Sequence, residues 1–160
     1  MIEIYYPPLI NNAALLIGKM RDLCNAEMKE EQPQYKRAED VDVLGLKGEL
    51  VAQYFAFTKN KPFVATKLLA SKPLQEPDIT IGGKRFDVKA IRPNAPDLQV
   101  NEKAHTKSKN ITDYWFIQCF NENQARFWFY KHADVSAWQI RAAKYSKIYY
   151  QTISEIEETL

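Results

Sequence analysis

The sequence predicts an α/β or α+β domain built on one central sheet. Three observations lead there: helix-like periodicity early in the chain and again near its end, a run of short apolar or alternating segments between them, and the dipeptide Gly82-Gly83 set between two of those segments. Helices before and after a run of strands need a sheet against which to bury their apolar sides.

Residues 10–31 read as a helix, with Asn11 or Asn12 as cap and Leu16, Met20, Leu23, Cys24 and Ala26 approximating an apolar stripe. Residues 32–41 are polar, contain Pro33 and read as a loop. A second helix is expected over 43–58, with Asp42 as N-cap. Leu50, Val51, Tyr54 and Phe55 give it bulk. Gly45, Glu49, Ala52 and Ala56 form a row of small residues around one acid, which would present Glu49 to a sheet at short range. Strands are expected at 62–70, in a hairpin over 77–91, and at 97–101, 112–120, 125–131 and 147–151. Residues 102–110 are a short helix or a loop, 134–143 a helix, and 153–160 a short acidic helix.

The 160 residues suggest one domain, 1–160, large enough to bury its own core. A net charge of +2 gives no global sign of nucleic acid, so any basic surface must be local. Cys24 and Cys119 are too few for a disulfide framework or a four-ligand zinc site and read as reduced, buried thiols. Met1 to Pro8 lacks a basic segment followed by an apolar run, and no stretch approaches membrane-spanning length. The expectation is a soluble cytoplasmic protein without a membrane partner. A phosphate-binding glycine loop and a nucleophile elbow are both missing, and His105 and His132 do not form a zinc spacing.

The hairpin carries the chemistry. With Gly82 and Gly83 as the two loop residues of a primed turn, Ile81 faces Lys84, Thr80 faces Arg85, Ile79 faces Phe86, and Asp78 falls opposite Asp87. Strand alternation puts Asp87 and Lys89 on one face and Phe86 and Val88 on the other. Two carboxylates about 5 Å apart between β-carbons repel and call for a cation. Magnesium takes carboxylate oxygens and keeps waters that a phosphate can displace. A divalent ion with a lysine beside it supplies what phosphodiester hydrolysis needs.

Pro77-Asp78 followed by Asp87-Val88-Lys89 resembles the signature of the PD-(D/E)XK nuclease superfamily, and Gly45-Leu46-Lys47-Gly48-Glu49 resembles the helix that often supplies an extra acid there. The resemblance covers about residues 43–120, leaving the N-terminal helix and the C-terminal segment as extensions. It implies a restriction-endonuclease-like α/β fold with a central mixed sheet flanked by helices. It further implies Mg2+ or Mn2+ on Asp78 and Asp87, with Glu49 as a further ligand or water-orienting acid and Lys89 orienting or activating water.

Lys103, Lys107 and Lys109 are candidate phosphate contacts, with His105 near the site; the alternative is a solvated connector. Aromatic residues of 114–129 read as core more than as a base-stacking surface. Asp113 reads as structural. The expected function is a metal-dependent endodeoxyribonuclease acting through metal-activated water in restriction, repair, recombination or phage DNA processing. Its partner would be DNA, with a homodimer or a larger nucleoprotein complex for two-strand cutting. The alternatives are a non-catalytic DNA- or protein-binding module on a nuclease-like fold, and an interaction domain using the aromatic C-terminal half.

Overall fold

A computed structural model describes residues 1–31, 41–65, 76–108, 110–143 and 146–158, with backbone alone over 22–31, 41–42 and 157–158. The elements are β1 (Ile2–Tyr5), α1 (Leu9–Glu31), α2 (Val41–Thr58), β2 (Phe63–Ala65), β3 (Ile79–Ile81), β4 (Lys84–Ile91), β5 (Asp97–Asn101), α3 (Glu102–Lys107), β6 (Asp113–Cys119), β7 (Gln124–Lys131), α4 (His132–Val135), β8 (Gln139–Ala142), β9 (Lys147–Thr152) and α5 (Ile153–Glu158). The class is α/β. A mixed six-stranded sheet has the order β1-β7-β6-β4-β3-β2, with β4 and β6 parallel. A second sheet, β5-β9-β8, is antiparallel throughout.

The second sheet departs from the expected single one. The sequence reading has 134–143 as a helix. Only His132–Val135 is helical, and Gln139–Ala142 pairs with β9 as a strand. A neighbouring strand that offers a ladder outweighs a weak helical preference. β1 is a further strand without a sequence expectation; it closes the edge beside β7. The loop expected at 32–41 falls almost wholly outside the described residues, as do 66–70 of the expected strand at 62–70.

Strand β6 is buried along its whole length, because the sheet is covered on both faces. One face packs on α2: Val51, Ala52 and Ala56 meet Phe86, Val88, Trp115, Ile117 and Phe127. The other gathers Ile91, Leu98, Val100, Tyr114, Phe116, Trp128, Val135, Ile153 and Ile156. Helices therefore flank the sheet on one side, while the second sheet and short helices contribute to the other core.

Both long helices use small residues to approach their neighbours. On α1 the inward positions are Ala14, Gly18 and Arg21, while Leu16 and Met20 of the expected apolar stripe are exposed. A β-carbon at Gly18 would lie 2.8 Å from Val43. On α2 the glycine against the sheet is Gly48, whose added β-carbon would meet that of Ala90 at 2.9 Å; Gly45 faces open space. Asp42 lies inside α2, which already starts at Val41, so it is not the cap. Asn11 likewise sits within α1, where its side-chain amide donates to Glu122 O. No described helix is long and apolar enough to cross a membrane.

Candidate active site

Gly82 and Gly83 have φ of +55° and +81°, the left-handed pair that a two-residue primed turn requires. The ladder follows as expected: Ile81 with Lys84, Thr80 with Arg85, Ile79 with Phe86. It stops there. The Asp78 amide donates to Phe86 O at 2.8 Å, so the strand does not step on to a paired Asp78 and Asp87. Instead Asp78 Oδ2 accepts from the Val88 amide at 2.6 Å. Val88 N–H points to the side where β3 has ended, and the carboxylate replaces the missing strand carbonyl. Asp78 is 5% exposed. The sequence reading is thus corrected in one respect: the acids are not cross-strand partners, yet Asp78 is bonded to the residue between Asp87 and Lys89.

Asp87 and Lys89 share a face as expected. Lys89 Nζ lies 2.9 Å from Asp87 Oδ1 and 2.8 Å from Oδ2, and both side chains are partly buried. Arg85 precedes them on the same face, and its Nε is buried without a hydrogen-bond partner. Across the parallel ladder Asp87 neighbours Tyr114. Burial and then the Asp87 charge push the Tyr114 phenol well above its ordinary pKa, so it stays protonated.

Glu49 is held elsewhere. Its two carboxylate oxygens accept from Arg21 Nη1 and Nη2, each at 3.0 Å, in a fork between α1 and α2. Gly48 and Ala52, its neighbours on the helix, lie against the face that carries Phe86 and Val88, opposite to Asp87 and Lys89. Among the described residues, no three of His, Cys, Asp and Glu come together to hold a metal ion. Of the predicted acids, Asp78 and Asp87 lie at the hairpin, the first bonded to the Val88 amide and the second paired with Lys89. Magnesium commonly takes one or two carboxylates plus waters and substrate phosphates.

His105 is not a surface contact. It is 4% exposed, with Nδ1 2.9 Å from Tyr114 Oη and Nε2 3.0 Å from Ser136 Oγ. Its ring stacks on that of His132 at 3.9 Å between centroids, and His132 Nε2 donates to His105 O. Burial, with the second imidazole adding to it, lowers the His105 pKa to about 4, so the ring is neutral at pH 7. Asn101 caps α3 by accepting from Ala104 N. Lys103 and Lys107 are exposed on α3, and Lys109 lies outside the described residues. Asp113 is buried, with Oδ1 3.7 Å from Lys84 Nζ.

The residues that sequence reasoning missed are Arg21, Tyr114, Ser136 and His132. Only Tyr114 carried a usable signal, its place one strand over from Asp87. No family model matches the chain, and neither the curated proteins nor the solved structures contain a match.

Proposed function

We propose that the chain is a Mg2+- or Mn2+-dependent endodeoxyribonuclease on a restriction-endonuclease-like fold. One arrangement supports the reading: Asp78 is fixed on the amide of the residue that separates Asp87 from Lys89, so two acids and a lysine belong to one rigid hairpin. Asp78 and Asp87 would hold the cation, which when bound supplies Lewis acidity toward a phosphate and an acidified water. Lys89, which pairs with Asp87 in this structure, would turn its ammonium to the developing negative charge. The exposed Lys103 and Lys107 would add phosphate contacts without sequence information. Two-strand cutting would use a homodimer, for which exposed Leu9, Leu16 and Met20 on α1 offer an apolar face.

The test is cleavage of plasmid, linear, single-stranded and branched DNA with magnesium or manganese, comparing wild type with Lys89→Ala. Cleavage by wild type alone, stopped by a chelator, supports the reading. Equal activity in the variant overturns it.

The second reading is a non-catalytic DNA- or protein-binding module on the same fold. The observation that favours it is the internal pairing of the acids, Asp87 with Lys89 and Glu49 with Arg21. It predicts that no DNA form is cut and that magnesium leaves the protein's thermal stability unchanged.

A further inference from the structure

The exposed apolar side chains are concentrated at one end of the chain. Seven of the eleven large hydrophobic residues exposed among the described residues fall within the first 20 positions. Tyr5 on β1 is 71% exposed, and Leu9 and Leu16 on α1 are 72% and 64% exposed. Single exposed hydrophobes are ordinary, whereas a cluster marks a surface that meets a partner.

β1 is the last strand of its sheet, and its outer side is unpaired among the described residues. Tyr6 N–H donates to Asn123 O at 2.8 Å, continuing the register that sets Tyr5 against Gln124. Antiparallel bonding alternates, so Ile2, Ile4 and Tyr6 bond toward β7, while the amides and carbonyls of Glu3 and Tyr5 point out of the sheet. Such an edge is normally guarded by lysine, proline or a bulge. The opposite edge, β2, has the exposed Lys59 and Lys61 just before it. β1 contains neither lysine nor proline, and its one acid, Glu3, is matched by Arg126 at 2.8 Å on the adjacent strand.

α1 adds to the same edge. α2 packs on β4 and β6 in the middle of the sheet, whereas α1 follows β1 and bonds through Asn11 to the β6–β7 turn, so it lies on the β1 side of α2. Ile10 packs on the first core, and Gly18 and Arg21 face α2. The helical period then turns Leu9, Leu16 and Met20 away from α2.

We infer that a second copy of the chain docks on this edge, β1 antiparallel to β1, with the two α1 helices packed through Leu9, Leu16 and Met20. A two-fold axis normal to the sheet keeps every side chain on its own face, so the numbers of paired residues add to an even sum. Centring the pair on Ile4 sets Glu3 opposite Tyr5 of the other copy, and these outward-pointing residues exchange main-chain bonds on both sides of the axis. The two Tyr5 side chains then lie on one diagonal, within aromatic reach. Centring on Glu3 opposes two like charges. Centring on Tyr5 sets Glu3 against Pro7, which has no N–H to donate. The strand is complementary to itself in one register of the three, and an apolar helix face lies beside it; together these select a second copy over a foreign strand. The inference gives a geometry to the homodimer that two-strand cutting would use, yet it does not rest on cleavage, because neither Asp87 nor Lys89 takes part.

The experiment is size-exclusion chromatography with light scattering on the full chain across micromolar concentrations. A dimer mass is expected, and a monomer at every concentration overturns the inference. Tyr5→Pro removes an outward N–H and spares the ladder to β7, and Leu16→Glu puts a charge on the exposed helix face. Each variant, with an unchanged circular dichroism spectrum, should weaken dimerisation by about tenfold or more. A dimer that neither variant weakens overturns the inference. The register is read by oxidation in a Cys24→Ser background. Ile4→Cys should form a disulfide-linked dimer, because facing residues at a non-hydrogen-bonded pair stand about 4.5 Å apart between Cα atoms. Ile2→Cys, which would face Tyr6, should not. Failure of Ile4→Cys to link, or linking through Ile2→Cys instead, overturns the proposed pairing.

Discussion

The two faces of strand β4 place alternate residues of one segment in opposite chemistry. Phe86 and Val88 look toward α2 and meet rings and aliphatic groups. Arg85, Asp87 and Lys89 look toward Tyr114 and the second core, where His105, His132 and Ser136 add hydroxyl and imidazole groups. The first face is held by apolar burial, which is non-directional and tolerant. The second is held by directional polar bonds in a partly dry setting, where each unmet group costs more than in water. A site that must exchange partners belongs on the second face, and a fold that must stay rigid depends on the first.

Substitutions on the two faces should therefore separate activity from stability. The largest effect is expected on cleavage: Lys89→Ala or Asp87→Asn lowers the rate by about 100-fold or more, with only a small change in melting temperature. Loss of folding together with activity would break the comparison. On the helix face, Ile117→Ala, at a fully buried position, should cost about 3 kcal/mol in urea unfolding while cleavage per folded molecule is unchanged. Gly48→Ala should cost roughly 1–3 kcal/mol, since its β-carbon would stand 2.9 Å from that of Ala90, which is fixed to a central strand.

Smaller effects sharpen the polar side. His105 has a folded pKa of about 4 against 6.5 unfolded. The unfolded chain therefore binds the extra proton first, and stability falls as pH drops from 6.5 toward 4. His105→Gln should flatten that part of the pH–stability curve, by on the order of 1 kcal/mol after solvent screening. Tyr114→Phe removes the hydroxyl bonded to His105 and should cost about 1 kcal/mol, read from the same urea curves.

The hairpin was legible because two glycines fix its register within a few residues. The departure at Asp78 was not, since it depends on where β3 ends and leaves the Val88 amide uncovered. Glu49 was placed on the right helix, but its partner lies 28 residues earlier and meets it only once α1 packs on α2. The apolar stripe on α1 misled because close packing at Gly18 favours small residues inward and leaves Leu16 and Met20 outside. His105 looked like a residue of a polar connector; its burial comes from α3 folding over β6 and α4, contacts without a local sequence mark.

The most direct test of the acid pair is a manganese titration followed in the backbone amide spectrum. The account predicts early paramagnetic broadening of Asp87, Val88 and Lys89, with the Val88 signal affected through its bond to Asp78, and loss of this broadening in Asp87→Asn. Broadening that begins elsewhere on the surface, or that persists unchanged in Asp87→Asn, would contradict a metal site at the hairpin.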